Sequence, residues 1–109
     1  DSKSPNLPFV IGLMGQNGFK PAQGNMALVK AAQLLMNDIA AFKGNVKAIP
    51  TDVYWDKKAD AAYPTWRDNF EAWKKIGSDR PYHYLGSTIT FSKIGRAFGE
   101  TMLELRKGK

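Results

Sequence analysis

The apolar positions of this chain fall into short blocks with two different rhythms. Leu7-Pro8-Phe9-Val10-Ile11-Gly12-Leu13-Met14 is nearly continuous and runs into Gly15-Gln16-Asn17-Gly18. An apolar run of this length without alternation suits a strand buried on both faces, as in parallel sheets. Gly18, Pro21 and Gly24 mark the next stretch as a loop, and Asn25 is placed to cap a helix. Leu28, Ala31, Ala32, Leu35, Ile39 and Phe42 then recur on a helical period that stops at Gly44, with Lys30, Gln33, Asn37 and Asp38 interrupting it. Asn45 to Pro50 reads as a second short strand closed by proline.

From Thr51 to Pro64 the pattern becomes a loop rich in aromatic and charged side chains. Thr65 is placed to cap a short helix through Trp66, Phe70, Trp73 and Ile76, which Gly77 ends. Ser78 to Tyr84 forms a second loop. Ser87 then caps a final helix carrying Phe91, Ile94, Phe98, Met102 and Leu105 on one face, with Arg96 and Glu100 spaced for pairing on the other. Strands alternating with helices predict an α/β protein with a parallel sheet. Two parallel strands and about three helices do not close a doubly wound sheet, so this order looks like the edge of a larger one. The chain is expected to be a single segment, 1–109, with flexible ends at 1–6 and 106–109. Opening on Asp1 without Met, it reads as a processed product or an excised piece.

Composition narrows the functional classes. With 109 residues, 43% apolar and 24% charged, the chain has the size and make-up of one folded domain, not of a disordered tail, collagen or coiled coil. It has no cysteine and one histidine, which excludes a disulfide framework, a thiol nucleophile and any site built from several histidines. No signal-peptide pattern is visible, and no run reaches the ~18 apolar residues of a spanning helix. The net charge of +6 comes from 16 basic and 10 acidic residues, but the lysines are dispersed and only Arg106-Lys107-Lys109 is dense. A small basic nucleic-acid-binding domain is therefore the weakest reading, and neither nucleic acid nor membrane insertion is expected.

His83 is the candidate general base. It lies in a loop between two helices, flanked by Tyr82 and Tyr84, where substrate has access. The alternative is an ordinary surface or hydrogen-bonded histidine. Asp79, four residues earlier, is within reach of the ring, but it can equally pair with Arg80 or cap the turn; Asp52 and Asp56 are further carboxylates. Ser78 and Ser87 do not follow a strand, so neither has the setting of a nucleophilic serine on an open sheet. Gly15-Gln16-Asn17-Gly18 sits at a strand end, where open sheets bind ligands, yet lacks the spacing of a phosphate loop and reads first as a flexible turn. Trp55, Tyr63, Trp66 and Trp73 offer a sugar-stacking surface, although helical spacing makes Trp66 and Trp73 core residues.

Several segments in order carry a family resemblance. They are Pro8 to Gly15, Phe42-Lys43-Gly44-Asn45-Val46, Pro50-Thr51 with Trp55-Asp56, Tyr82-His83-Tyr84-Leu85-Gly86-Ser87, and Ile94-Gly95-Arg96-Ala97-Phe98-Gly99-Glu100. Together they resemble the C-terminal portion of the sialate O-acetylesterase-like carbohydrate esterases, within the SGNH (GDSL-like) hydrolase superfamily, over about Leu7 to Leu105. The resemblance implies a flavodoxin-like three-layer α/β/α fold of which this chain supplies about the C-terminal half. It implies a serine esterase acting on an O-acetylated carbohydrate or other small ester, without metal or cofactor, in an extracellular or periplasmic setting. The family's histidine falls on His83, with Tyr82, Tyr84 and Trp55 as candidate substrate contacts. In the family an Asp stands three positions before the histidine; here that position is Arg80 and Asp79 is one step further. A Ser-His dyad or a carboxylate from another loop stays open beside Asp79. The nucleophile and oxyanion blocks belong upstream of this segment, so a second polypeptide supplying the N-terminal half is expected and the chain alone is expected to be inactive. The rival from another class is a non-catalytic structural or interaction module of hydrolase-like shape.

Overall fold

A computed structural model describes residues 6–108; residues 1–5 and 109, parts of the two ends expected to be flexible, lie outside that range. Strand β1 (Phe9–Gly12) pairs in parallel with β2 (Val46–Ile49), Phe9 opposite Val46 and Ile11 opposite Ala48. The ladder is extended at both ends, where Phe9 N–H donates to Asn45 O and Leu13 N–H to Ile49 O. Between the strands lies helix α1 (Gly24–Leu35). Three further helices follow β2: α2 (Lys57–Ala62), α3 (Phe70–Trp73) and α4 (Thr88–Lys107). The result is a small α/β domain with two parallel strands as its whole sheet among the described residues.

The period that predicts a helix up to Phe42 is cut short in the structure. Helix α1 ends at Leu35, and a turn at Met36–Asp38 and a single 3₁₀ turn at Ala40–Phe42 complete the crossover. The cause is Asn37, which turns inward. Its Nδ2 donates to Ala48 O at 3.0 Å and its Oδ1 accepts from Ala48 N–H at 2.8 Å. Asn25 does not cap α1 either; Gln23 holds the N-cap position, without a side-chain bond. The side of α1 nearer the sheet is Met26, Ala27, Lys30 and Gln33, half-buried, whereas Leu28, Ala31, Ala32 and Leu35 are exposed. Gln33 Oε1 accepts from Met14 N–H at 2.7 Å, and Lys30 pairs with Asp52. Polar bonds, not the apolar stripe, therefore hold α1 in place.

The stretch read as a loop up to Pro64 contains α2. Asp56 makes it possible by accepting from Lys58 N–H (2.9 Å) and Ala59 N–H (3.2 Å), satisfying donors that a helix start otherwise leaves orphaned. Thr65 ends a 3₁₀ turn instead of capping a helix, so α3 is reduced to four residues. Ser87 caps α4 as its position predicts, accepting from Thr90 N–H at 3.3 Å. Along α4, Ala97 is buried and Phe98 lies so close to β1 that a Cβ on Gly12 would meet its ring at 2.8 Å. The helix continues through Arg106 and Lys107. A second core forms away from the sheet, where Trp55, Ala59, Trp73 and Leu85 pack with Tyr63, Trp66, Ile76 and Tyr84 against them. No helix among the described residues is long and apolar enough to cross a membrane.

Candidate active site

The segment from Ser78 to Ser87 builds the site by folding back on itself. Leu85 O accepts from both Ser78 N–H (2.9 Å) and Asp79 N–H (3.2 Å), while Arg80 O accepts from His83 N–H (2.9 Å) and Leu85 N–H (3.0 Å). Closing so tight a knot takes three successive left-handed residues, Tyr84 (φ 55°), Leu85 (φ 58°) and Gly86 (φ 58°). Gly is the natural occupant of that region, but Tyr and Leu are not, so two residues here are strained. Leu85 compensates by being almost fully buried in the aromatic core.

The fold brings Asp79 and His83 together. Asp79 Oδ2 lies 2.9 Å from His83 Nδ1, and both side chains are about half exposed to solvent. The other oxygen, Oδ1, accepts from Arg80 N–H at 2.7 Å. That backbone bond, followed by the bond to His83, holds the Asp79 carboxyl below the ordinary aspartate value. An ionised carboxylate is acceptor-only, so Nδ1 carries the proton and base chemistry falls to Nε2. Tyr82 stands edge-on to the imidazole, ring centroids 4.4 Å apart, and is exposed.

Tyr84 anchors this segment to the sheet. Its hydroxyl accepts from Gly15 N–H at 3.1 Å and lies 2.8 Å from Thr51 Oγ1. Thr51 gives its only hydroxyl proton to Leu13 O at 2.7 Å, so the Tyr84 hydroxyl is the donor to Thr51. Gly15 and Thr51 follow the C-terminal ends of β1 and β2. The histidine segment is thereby fastened at the carboxyl edge of a parallel pair, where open α/β sheets place their ligands. Sequence pattern does not announce this tether; the nearest signal is Thr51 directly after the proline that closes β2.

The other candidates occupy structural positions. Trp55 is 3% exposed, with its indole Nε1 donating to Asp60 Oδ1 at 3.0 Å and its ring 5.7 Å from that of Tyr84. Neither face is open to a sugar in this chain. Tyr84 is half-buried with its hydroxyl already bonded. Asp52 faces Lys30, and Asp56 is buried, accepting from Ser87 Oγ at 2.7 Å. Ser87 is thus committed between Asp56 and Thr90, and Ser78 Oγ donates to Gly86 O at 3.4 Å. Asn17 is left-handed (φ 68°), as expected of a turn, and Gln16 Oε1 is buried without a hydrogen-bond partner. Tyr63, Trp66 and Trp73 line a cavity of about 120 Å³ beside Asp79, Ser78 and Arg80, smaller than the ~300 Å³ at which pockets for whole drug-sized ligands begin. Among the described residues no three His, Asp or Glu side chains cluster to hold a metal ion. In comparison with known proteins, the chain matches no family model, no curated protein and no solved structure.

Proposed function

We propose that this chain is the histidine-bearing part of a carbohydrate O-acetylesterase-like serine hydrolase with a flavodoxin-like SGNH architecture. A second polypeptide, or chain outside these residues, supplies the nucleophile and oxyanion donors. The observation that carries the reading is the Asp79–His83 pair at 2.9 Å, fastened by Tyr84 to the carboxyl ends of both strands. In the proposed reaction, His83 Nε2 takes the proton of the incoming serine hydroxyl as that oxygen attacks the acyl carbon. The imidazolium, stabilised by Asp79, then returns the proton to the departing sugar oxygen as the ester C–O bond breaks. In the second half, Nε2 takes a proton from water as it attacks the acyl-enzyme, and returns it to the serine oxygen as acetate leaves. Tyr82, exposed against the ring, is the nearest candidate for substrate contact.

The test mixes the chain with an upstream half carrying a Gly-Asp-Ser turn and follows hydrolysis of an acetylated chromogenic ester. The chain alone is expected to be inactive, because a base without nucleophile or oxyanion donors accelerates little. His83→Ala is expected to lower kcat of the mixture by roughly 10³-fold or more, and Asp79→Ala by roughly 10²–10⁴-fold. Robust activity from the isolated chain, or a fully active His83→Ala mixture, would sink the proposal.

A second reading, a non-catalytic interaction module, is favoured by the exposed apolar stripe on α1, with Leu28 at 70% and Leu35 at 59%. Under that reading the chain binds its partner equally well with His83→Ala and Asp79→Ala, and the complex hydrolyses no ester.

A further inference from the structure

We infer that Tyr84 is a positioning residue for His83: its hydroxyl tether keeps the segment in the strained shape that sets Asp79 against the imidazole. Three observations meet at this residue. Its φ of 55° is followed by 58° at Leu85, and such conformations persist only where the surroundings over-determine them. Its hydroxyl is the point where side chains of this segment reach Gly15 and Thr51 at the strand ends. Its ring is held 5.7 Å from those of both Trp55 and Phe91, so the side chain is wedged while its backbone is strained.

The consequence for His83 follows from connectivity. The same turn that strains Tyr84 presents Leu85 O to Ser78 N–H and Asp79 N–H, and presents Arg80 O to His83 N–H. Those bonds place Asp79 and His83 at 2.9 Å although Pro81 lies between them. Removing the hydroxyl leaves Gly15 N–H and Thr51 Oγ1 without this partner and takes away the polar restraint on the left-handed backbone. The segment then relaxes toward ordinary φ values, the bonds to Leu85 O loosen, and Asp79 leaves Nδ1. The inference takes its functional meaning from the esterase reading, but it is tested without substrate.

The test uses the whole chain, labelled with ¹⁵N. His83 is the only histidine, so long-range ¹H–¹⁵N correlations report one imidazole and show which nitrogen carries the proton in the neutral ring. In the wild type the Nδ1–H form is expected to dominate, and in Asp79→Ala that preference is expected to be lost. Tyr84→Phe, which keeps the ring between Trp55 and Phe91, is expected to lose it to the same extent as Asp79→Ala. A residue of purely structural importance would lower stability and leave the tautomer unmoved. Tyr84→Phe folded by circular dichroism, with the wild-type tautomer ratio, overturns the inference. If Tyr84→Phe does not fold, Thr51→Val, which keeps the whole tyrosine and removes one partner, decides: a shift in the same direction supports the inference, and an unchanged ratio overturns it. Failure of both variants to fold also overturns it, since the tether is then a folding element.

Discussion

Burial by itself would push the Asp56 carboxyl up, yet Ser87's hydroxyl, the N–H groups of Ala59 and Lys58 and the charge of Lys93 hold it below the ordinary aspartate value. The direction fixes a pH dependence. Because the folded value is lower than the unfolded one, the unfolded chain takes up the proton first as pH falls. The stabilisation is complete above about pH 4 and is lost as pH drops through the folded value. Asp56→Asn is expected to cost about 1–3 kcal/mol at neutral pH, and the gap to wild type should shrink below pH 4. Thermal melts between pH 2.5 and 7 check this, and parallel curves would remove the argument. Asp56→Ala should cost more, since it also strips the cap of α2 and orphans the buried Ser87 hydroxyl. At this scale the aspartate was visible in the sequence as a loop carboxylate, but its role was not. Its partner Ser87 is 31 residues away, and only folding brings the two starts of α2 and α4 together.

Among the elements, α1 inverts the usual rule for a surface helix. Leu28, Ala31, Ala32 and Leu35 show the period from which a helix is predicted, but that stripe lies opposite the side that bonds the sheet. The polar positions that interrupt it, Lys30, Gln33 and Asn37, recur at spacings of three and four and are the ones that bond inward. Asn37 also closes one side of the sheet. Asn45 and Ile49 send their carbonyls to β1, so Ala48 points the opposite way, and Asn37 takes up both its N–H and its C=O. The far edge of β2 is blunted there, while β1 has no strand beyond it among the described residues. Asn37→Ala is expected to cost about 1–3 kcal/mol and to abolish the hydrogen-exchange protection of the Ala48 amide. A protected Ala48 amide in that variant would contradict the role.

For the molecule as a whole, the radius of gyration is 16.6 Å, against roughly 13 Å for a compact chain of this length. The buried apolar set is small, and much of the large apolar surface, from Leu7 and Phe9 to Leu28, Leu35 and Leu103, stays in water. Exposed apolar surface on this scale favours association. The isolated chain is expected to self-associate with rising concentration and to bind a dye specific for apolar surface. Leu28→Glu with Leu35→Glu should suppress association in sedimentation while changing stability by less than about 1 kcal/mol, because both sites are exposed. A large loss of stability in the double variant would show that the stripe is packed.

Local chemistry was enough to determine several features of this protein from sequence. The apolar run before Gly15, the strand closed by Pro50 and the Ser87 cap of α4 depend on neighbours in the chain and stand where the pattern puts them, but the expected burial of β1 on both faces is not met: Phe9 is exposed and Val10, Ile11 and Gly12 are half-buried. The parallel pairing also follows, since the helix between two short strands leaves no room for a hairpin. Tertiary structure decided the rest. It set which side of α1 faces inward, ended that helix at Leu35 and buried Trp55. It also brought Asp79 to His83 and tied Tyr84 to Gly15 and Thr51. Each of these rests on groups far apart in sequence, or on a left-handed backbone that no neighbouring residue imposes, and neither leaves a periodic trace in the chain.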